Sequence, residues 1–252
     1  MSPTFVLISG CSKGIGLGLV QRFLERPNHV VIAGIRDPEQ VSSQVFDLPQ
    51  GKGSKIIVVK LDVLSDTDGH DVVNELTSSH GVKHLDIVIA NAGVCYPKPT
   101  TKLSEVKVSD IEAHMGVNGY GVLRILKATL PLLKKSSDPK FISVGSGSGR
   151  VSLNPRINGI PYRNGSYGPS KTVNHWITKR ANDEEDDITI FPVDPGFVQT
   201  EAGNRAAQAF GLSQATVTIE ESCDGLMKIF DNASKATHGG KLWRFDGIEV
   251  GW

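Results

Sequence analysis

Cysteine is scarce in this 252-residue chain: Cys11, Cys95 and Cys223 are odd in number, far apart and never in a Cys-x-x-Cys spacing. Neither a disulfide framework nor a cysteine zinc site is expected, and a reducing compartment fits. Charge of one sign is absent too, with 27 Lys and Arg against 27 Asp and Glu. That balance gives no field to gather the chain on nucleic acid or an anionic membrane, and neither partner is expected. No apolar run is long enough to span a bilayer, and MSPTFVLISG has no basic segment ahead of its short apolar stretch. A cytoplasmic protein is the expectation. The seven histidines are scattered, without the carboxylate cluster that a metal enzyme would need. Repeats and Pro-rich linkers are also missing, so residues 1–252 read as one domain.

What is present is an alternation of short Val- and Ile-rich runs with longer amphipathic segments, the pattern of a parallel sheet covered by helices on both faces. The fold expected is α/β, a single Rossmann-type doubly wound domain with a seven-stranded, mostly parallel sheet. Strands are predicted at Thr4–Ser9, Val30–Gly34, Lys55–Leu61, Leu85–Ala90, Lys140–Val144, Ile188–Val193 and Gly240–Arg244. Helices are predicted at Gly14–Glu25, Asp66–Ser79, Ser104–Met115, Val117–Lys134, Tyr167–Asp183 and Ile219–Asp231. Arg150–Ser166 and Thr200–Ser213 are predicted to be irregular and to leave the carboxyl ends of strands, where such sheets bind ligands.

Directly after the first strand comes Ser9-Gly10-Cys11-Ser12-Lys13-Gly14-Ile15-Gly16, and an amphipathic helix follows. A turn from strand into helix presents backbone N–H groups and the positive helix end to a pyrophosphate, with glycine wherever a Cβ would block the approach. The spacing is Gly-x-x-x-Gly-x-Gly, not Gly-x-Gly-x-x-Gly, and a Gly-rich turn without a ligand is the alternative. An NAD site needs an acid at the end of the second strand for the ribose hydroxyls. Gly34 stands there instead, while Arg36 and Lys13 can both reach a phosphate. NADPH/NADP+ is the expected cofactor, against the alternative that both are surface cations and Asp37 turns inward. Asp62 and Val63 are placed beside the adenine, and Asn91-Ala92-Gly93 lets a flat cofactor pass closely; turn chemistry is the alternative for both.

Tyr167-Gly168-Pro169-Ser170-Lys171 carries the most chemical content. Pro169 marks a helix start, and residues four apart share a helix face, so phenol and ammonium can address one pocket. A phenol that ordinarily ionises at about pH 10 needs such a cation to act as an acid–base group near neutrality.

The glycine-rich turn, Asn91-Ala92-Gly93, Asn118, Ser146, Tyr167, Lys171 and Pro195-Gly196-Phe197-Val198-Gln199-Thr200 stand in an order that resembles the short-chain dehydrogenase/reductase family over essentially the whole chain. AGIRDP, LDIVIANAG, PLLKK and PGFVQTEAGN narrow the resemblance to a fungal-type subgroup similar to norsolorinic acid ketoreductase and sniffer-like carbonyl reductases. The resemblance implies that Tyr167 protonates a small-molecule carbonyl while hydride arrives from the nicotinamide. Tyr167 and Lys171 would also contact the cofactor, with Lys171 holding the ribose and tuning the phenol; Ser146 would bond the carbonyl oxygen, and Asn118 would kink its helix and hold a water. Pro195, Gly196, Val198 and Thr200 would cover the nicotinamide. It also implies a ketone on an aromatic or polyketide-derived product, and a possible homodimer or homotetramer. A general carbonyl or quinone reductase, a dehydratase or cyclase, and a non-redox cofactor-binding protein stay open as alternatives. Ser9 replaces the family's threonine and Ala90 its first asparagine. Ser143 and Ser148 compete with Ser146, which is preferred because Ser-x-x-Gly runs to Gly149.

Overall fold

β-Branched side chains suit a pleated surface buried on both faces, and the Val- and Ile-rich runs form strands accordingly. A computed structural model describes residues 3–40, 45–96, 101–153, 156–157, 160–161 and 163–252. The principal strands are β1 (Thr4–Ser9), β2 (His29–Ile35), β3 (Lys55–Lys60), β4 (Ile87–Ala90) and β5 (Lys140–Val144). A two-stranded ribbon, β6 (Arg156–Ile157) and β7 (Ile160–Pro161), precedes β8 (Thr189–Asp194), β9 (Leu242–Arg244) and β10 (Glu249–Val250). The main sheet runs β10-β9-β8-β5-β4-β1-β2-β3. Its pairings are parallel except for β10 against β9. It therefore has eight strands rather than the seven expected. The addition, β10, is two residues long and carries no period to read.

Alternation along each strand splits the core into two layers. Val6 and Ile8 of β1 and Val31 of β2 face Leu19 and Phe23 of α1 (Gly14–Leu24). Leu7 and Ile32 face Leu76 of α2 (Asp68–Ser78) on the other side. The two-sided cover is the doubly wound arrangement predicted.

The segment predicted as two helices meeting near Gly116 runs through without a break. α3 (Val108–His114) passes into a π-helical stretch, Met115–Tyr120, and then into α4 (Gly121–Leu133). Such wide turns recur where a side chain must be re-aimed at a functional site, and this one carries Asn118. α5 (Gly168–Glu184) begins one residue after Tyr167. The Thr200–Ser213 segment is not irregular throughout. α6 (Glu201–Ala209) forms there because the Thr200 hydroxyl accepts the Gly203 amide at 3.1 Å and caps it. α7 (Ile219–Asn232) and the short α8 (Lys235–His238) complete the helices. Within the Arg150–Ser166 loop, residues 154–155, 158–159 and 162 lie outside the described residues.

Candidate active site

The strand order reverses between β1 and β4, and a cleft of about 640 Å³ opens at their carboxyl ends, where doubly wound sheets take ligands. At one end is the glycine-rich turn. Gly10 and Gly14 have φ of 71° and 61°, a left-handed backbone that glycine adopts without strain. A Cβ on Gly16 would overlap the Gly10 carbonyl oxygen and lie 2.5 Å from Asn91 Nδ2. That amide donates to the Ser9 and Gly10 carbonyls at 2.9 and 3.1 Å, while Ser9 Oγ accepts the Asn91 and Ala92 amides at 3.1 and 3.0 Å. The first and fourth strand exits are thereby locked together. Gly16→Ala is expected to cost about 1–3 kcal/mol through overpacking, read as a lower urea midpoint.

Gly10, Ser12, Lys13, Gly14, Ile15 and Gly16 all line the cleft. Lys13 is the extended N-cap of α1 and makes no side-chain cap bond, so the first helical amides have no partner from that side chain. The Lys13 ammonium reaches across the cleft to the Glu201 carboxylate. That hydrogen bond and charge hold Glu201 below the ordinary glutamate range, with Arg205 adding to the effect. Arg36 stands exposed at the cleft edge. Asp62 and Val63 line it as well, and Asp62 Oδ1 accepts the Leu64 amide at 3.0 Å in a local turn. Asn91, Ala92 and Gly93 form the floor at the β4 exit.

Tyr167 and Lys171 share the other end of the cleft, with the lysine Nζ 5.8 Å from the phenol ring centroid. Tyr167 is the N-cap of α5 and Lys171 stands one turn further on, and both side chains line the cleft. Lys171 is 3% exposed and donates to the Val144 carbonyl at 2.7 Å. Burial pulls its pKa down to about 8, against the opposing pull of Cys95 and Asp194.

Asn118 is buried behind the wall rather than on it. Its Oδ1 accepts the Val94 amide at 2.8 Å, and its Nδ2 donates to the Val94 carbonyl at 2.9 Å and Ser170 Oγ at 3.0 Å. It therefore clamps the β4 loop to the start of α5. Its own carbonyl accepts from Asn174 Nδ2 at 3.2 Å.

Ser146 is half-buried beside Gly145, a lining residue, and its hydroxyl accepts the Ser148 amide at 3.1 Å. Ser143 is fully buried and bonded to Asn174 and Thr178 at 2.7 and 2.8 Å, away from the cleft. Pro195 and Thr200 line the far wall. Gly196, with φ of 84°, instead packs on Phe245, and Val198 is buried at 4% exposure.

Several lining residues carry no motif. Cys95, Tyr96 and Arg205 edge the cleft, with Arg205 donating to the Cys95 carbonyl at 2.9 Å. His114 of α3 accepts the Tyr96 amide at Nε2 at 3.1 Å, and its ring stands edge-on to Tyr96 at 4.9 Å and to Tyr167 at 6.0 Å. His80 and His84 are four residues apart, a spacing that could suit a metal, but they pair separately with Glu75 and Asp86 at 3.4 and 3.3 Å. No group of three metal-ligating side chains occurs among the described residues. No described helix is long and apolar enough to cross a membrane.

Residues 4–210 match the short chain dehydrogenase family model. The chain is 35% identical over 252 residues to a norsolorinic acid ketoreductase of Dothistroma septosporum, covering 99% of this chain and 92% of that one. It is 36% identical to the norsolorinic acid ketoreductase of Emericella nidulans, with 99% and 94% covered. The NADPH-bound carbonyl reductase from chicken fatty liver has the same fold, with a TM-score of 0.82 at 23% identity and 100% of both chains covered. The chain belongs to the short-chain dehydrogenase family. Its class is therefore that of the oxidoreductases built on this fold.

Proposed function

We propose that this protein is an NADPH-dependent ketoreductase that converts a ketone on an aromatic or polyketide-derived small molecule to a secondary alcohol. The observation that carries this reading is one cleft with Tyr167 and Lys171 at one end and the glycine turn, Lys13 and Arg36 at the other. The ketoreductase names of two relatives above 30% identity support the reaction class. The NADPH in the chicken carbonyl reductase supports the cofactor.

The residues fit a phosphorylated dinucleotide. A Cβ at Gly10, Gly14 or Gly16 would press on Ala92, Thr200 or the Gly10 carbonyl, so glycine at these positions lets the turn stay tight beside the first α1 amides, and Lys13 and Arg36 line the same cleft. Lys13 and Arg36 would take the extra phosphate, the α1 amides the pyrophosphate, and Asp62 and Val63 the adenine side. Asn91, Ala92 and Gly93 would flank the passage, with Pro195 and Thr200 opposite and Gly196 and Val198 shaping that wall from behind. When bound, the nicotinamide supplies hydride.

Tyr167 gives its phenolic proton to the carbonyl oxygen as that oxygen gains negative charge, and Ser146 donates a second hydrogen bond to it. Lys171 stabilises the charge left on the phenol oxygen, and Asn118 keeps the β4 loop and α5 in register. Homodimer or homotetramer formation through α4 and α5 belongs to the same reading, supported by exposed Tyr120, Leu123 and Trp176.

The decisive experiment mixes the purified protein with NADPH or NADH and a panel of aryl ketones and quinones, following cofactor oxidation and the alcohol product. Faster oxidation of NADPH with stoichiometric alcohol is expected. Tight NADPH binding without turnover of any ketone would remove the reductase assignment.

Glu201 competes with a phosphate for Lys13. Glu201→Gln is therefore expected to tighten NADPH binding by about two- to fivefold at low salt, with a smaller effect at high salt. Fluorescence titration at two ionic strengths measures it.

A further inference from the structure

Three glycines in five residues, Gly145, Gly147 and Gly149, flank Ser146. Glycine loses more backbone freedom on folding than any other residue, so in this segment a hydroxyl that must meet a carbonyl oxygen needs external ties. The Gly145 amide donates to Val193 O at 2.7 Å, and Thr172 Oγ1 donates to Gly149 O at 2.9 Å. At Ser146 itself the tie is a histidine: its amide donates to His175 Nε2 at 3.2 Å.

His175 lies on α5 one turn beyond Lys171 and is 2% exposed. A Cβ on Gly145 would overlap its Nε2, and one on Gly149 would lie 2.9 Å from its Cε1. Both glycines thus let the chain close around the ring. Trp252 stands edge-on to it at 5.8 Å. An imidazole that accepts at Nε2 is neutral and carries its proton on Nδ1. Burial, with the Lys171 and Arg150 charges nearby, drives its pKa down to about 3, so it remains an acceptor through the working range. Its Nδ1 has no hydrogen-bond partner among the described residues. A buried N–H without a partner is destabilising, so packing alone would be served better by an apolar side chain.

We propose that His175 is a positioning residue that acts through Ser146, holding its backbone amide so that its hydroxyl meets the substrate carbonyl oxygen. This rests on the ketoreductase reading, in which Ser146 bonds that oxygen.

The test is a double-mutant cycle. His175→Leu removes the acceptor, while His175→Gln places an amide oxygen near the position of Nε2. In wild-type background His175→Leu is expected to lower kcat about 10- to 100-fold, with NADPH affinity unchanged, and His175→Gln to recover most of it. In a Ser146→Ala background His175→Leu should cost nothing further. Equal losses in both backgrounds, or an unchanged kcat in His175→Leu, would overturn the proposal.

Hydrogen exchange at the Ser146 amide reads the same tie without turnover. Faster exchange in His175→Leu and recovery in His175→Gln support it, and unaltered exchange overturns it. Wild-type protein that reduces no ketone refutes the reductase reading instead, and the exchange result still decides whether His175 holds Ser146.

Discussion

Tyr167→Phe is expected to lower ketone turnover by about 10²–10⁴-fold, the usual contribution of a positioned proton donor. The dissociation constant for NADPH should stay within about twofold, because the missing group acts on the reacting oxygen rather than on the cofactor's phosphates. Phenylalanine keeps the ring that stands edge-on to His114, so the loss falls on the hydroxyl alone. KM for the ketone should move little, since a proton donated as charge develops stabilises the transition state more than the bound substrate. Steady-state kinetics beside calorimetric NADPH titration separates the two effects. Turnover at the wild-type rate would take the proton-donor role away from Tyr167.

Much of this site was legible because its chemistry is tied to local rules. A strand followed by Gly-x-x-x-Gly-x-Gly and a helix leaves few arrangements of backbone, and Tyr-x-x-x-Lys at a helix start places both groups on one face. The sheet was legible for a similar reason: strands buried on both faces read as continuous Val- and Ile-rich runs. What escaped depends on distant partners. In the sequence Lys13 stands where it can reach a phosphate, yet in the fold it pairs with Glu201, 188 residues away. His175 reaches Ser146 across 29 residues, and His114 joins Tyr96 and Tyr167 from a different helix. None of these contacts leaves a period or spacing in the chain. α6 is hard to read for a nearer reason: a nine-residue helix gives the period little room. The π-helical stretch escapes because Gly116 reads as a break between two helices, whereas the chain continues through it, and Gly119 within the wide turn allows close approach to Val173.

Lys171→Met should separate what the buried ammonium does for chemistry from what it does to the fold. Turnover is expected to fall by at least about 10²-fold, because the variant has no charge to stabilise the ionised phenol oxygen. The folded protein, without cofactor, is expected to become more stable near neutrality. Burial lowers the lysine pKa from 10.5 to about 8, so below about pH 8 the folded and unfolded chains are both protonated and the cost of burying the charge is fully present. Between about pH 8 and 10.5 the folded protein sheds that proton while the unfolded chain keeps it, and wild-type stability rises relative to the variant. A shift of this size corresponds to roughly 3 kcal/mol. The hydrogen bond to Val144 lost in the variant offsets about 1 kcal/mol of the gain, although Asn174 Nδ2 still lies 3.5 Å from that carbonyl. Urea melts at pH 6.5 should favour Lys171→Met by roughly 2 kcal/mol, an advantage that shrinks as the pH approaches 10.5. A variant less stable than wild type at pH 6.5 would mean that the ammonium's contacts with Val144, Cys95 and Asp194 outweigh its desolvation. A more stable, inactive variant would mean that this lysine is kept at a cost to the fold for its action on Tyr167.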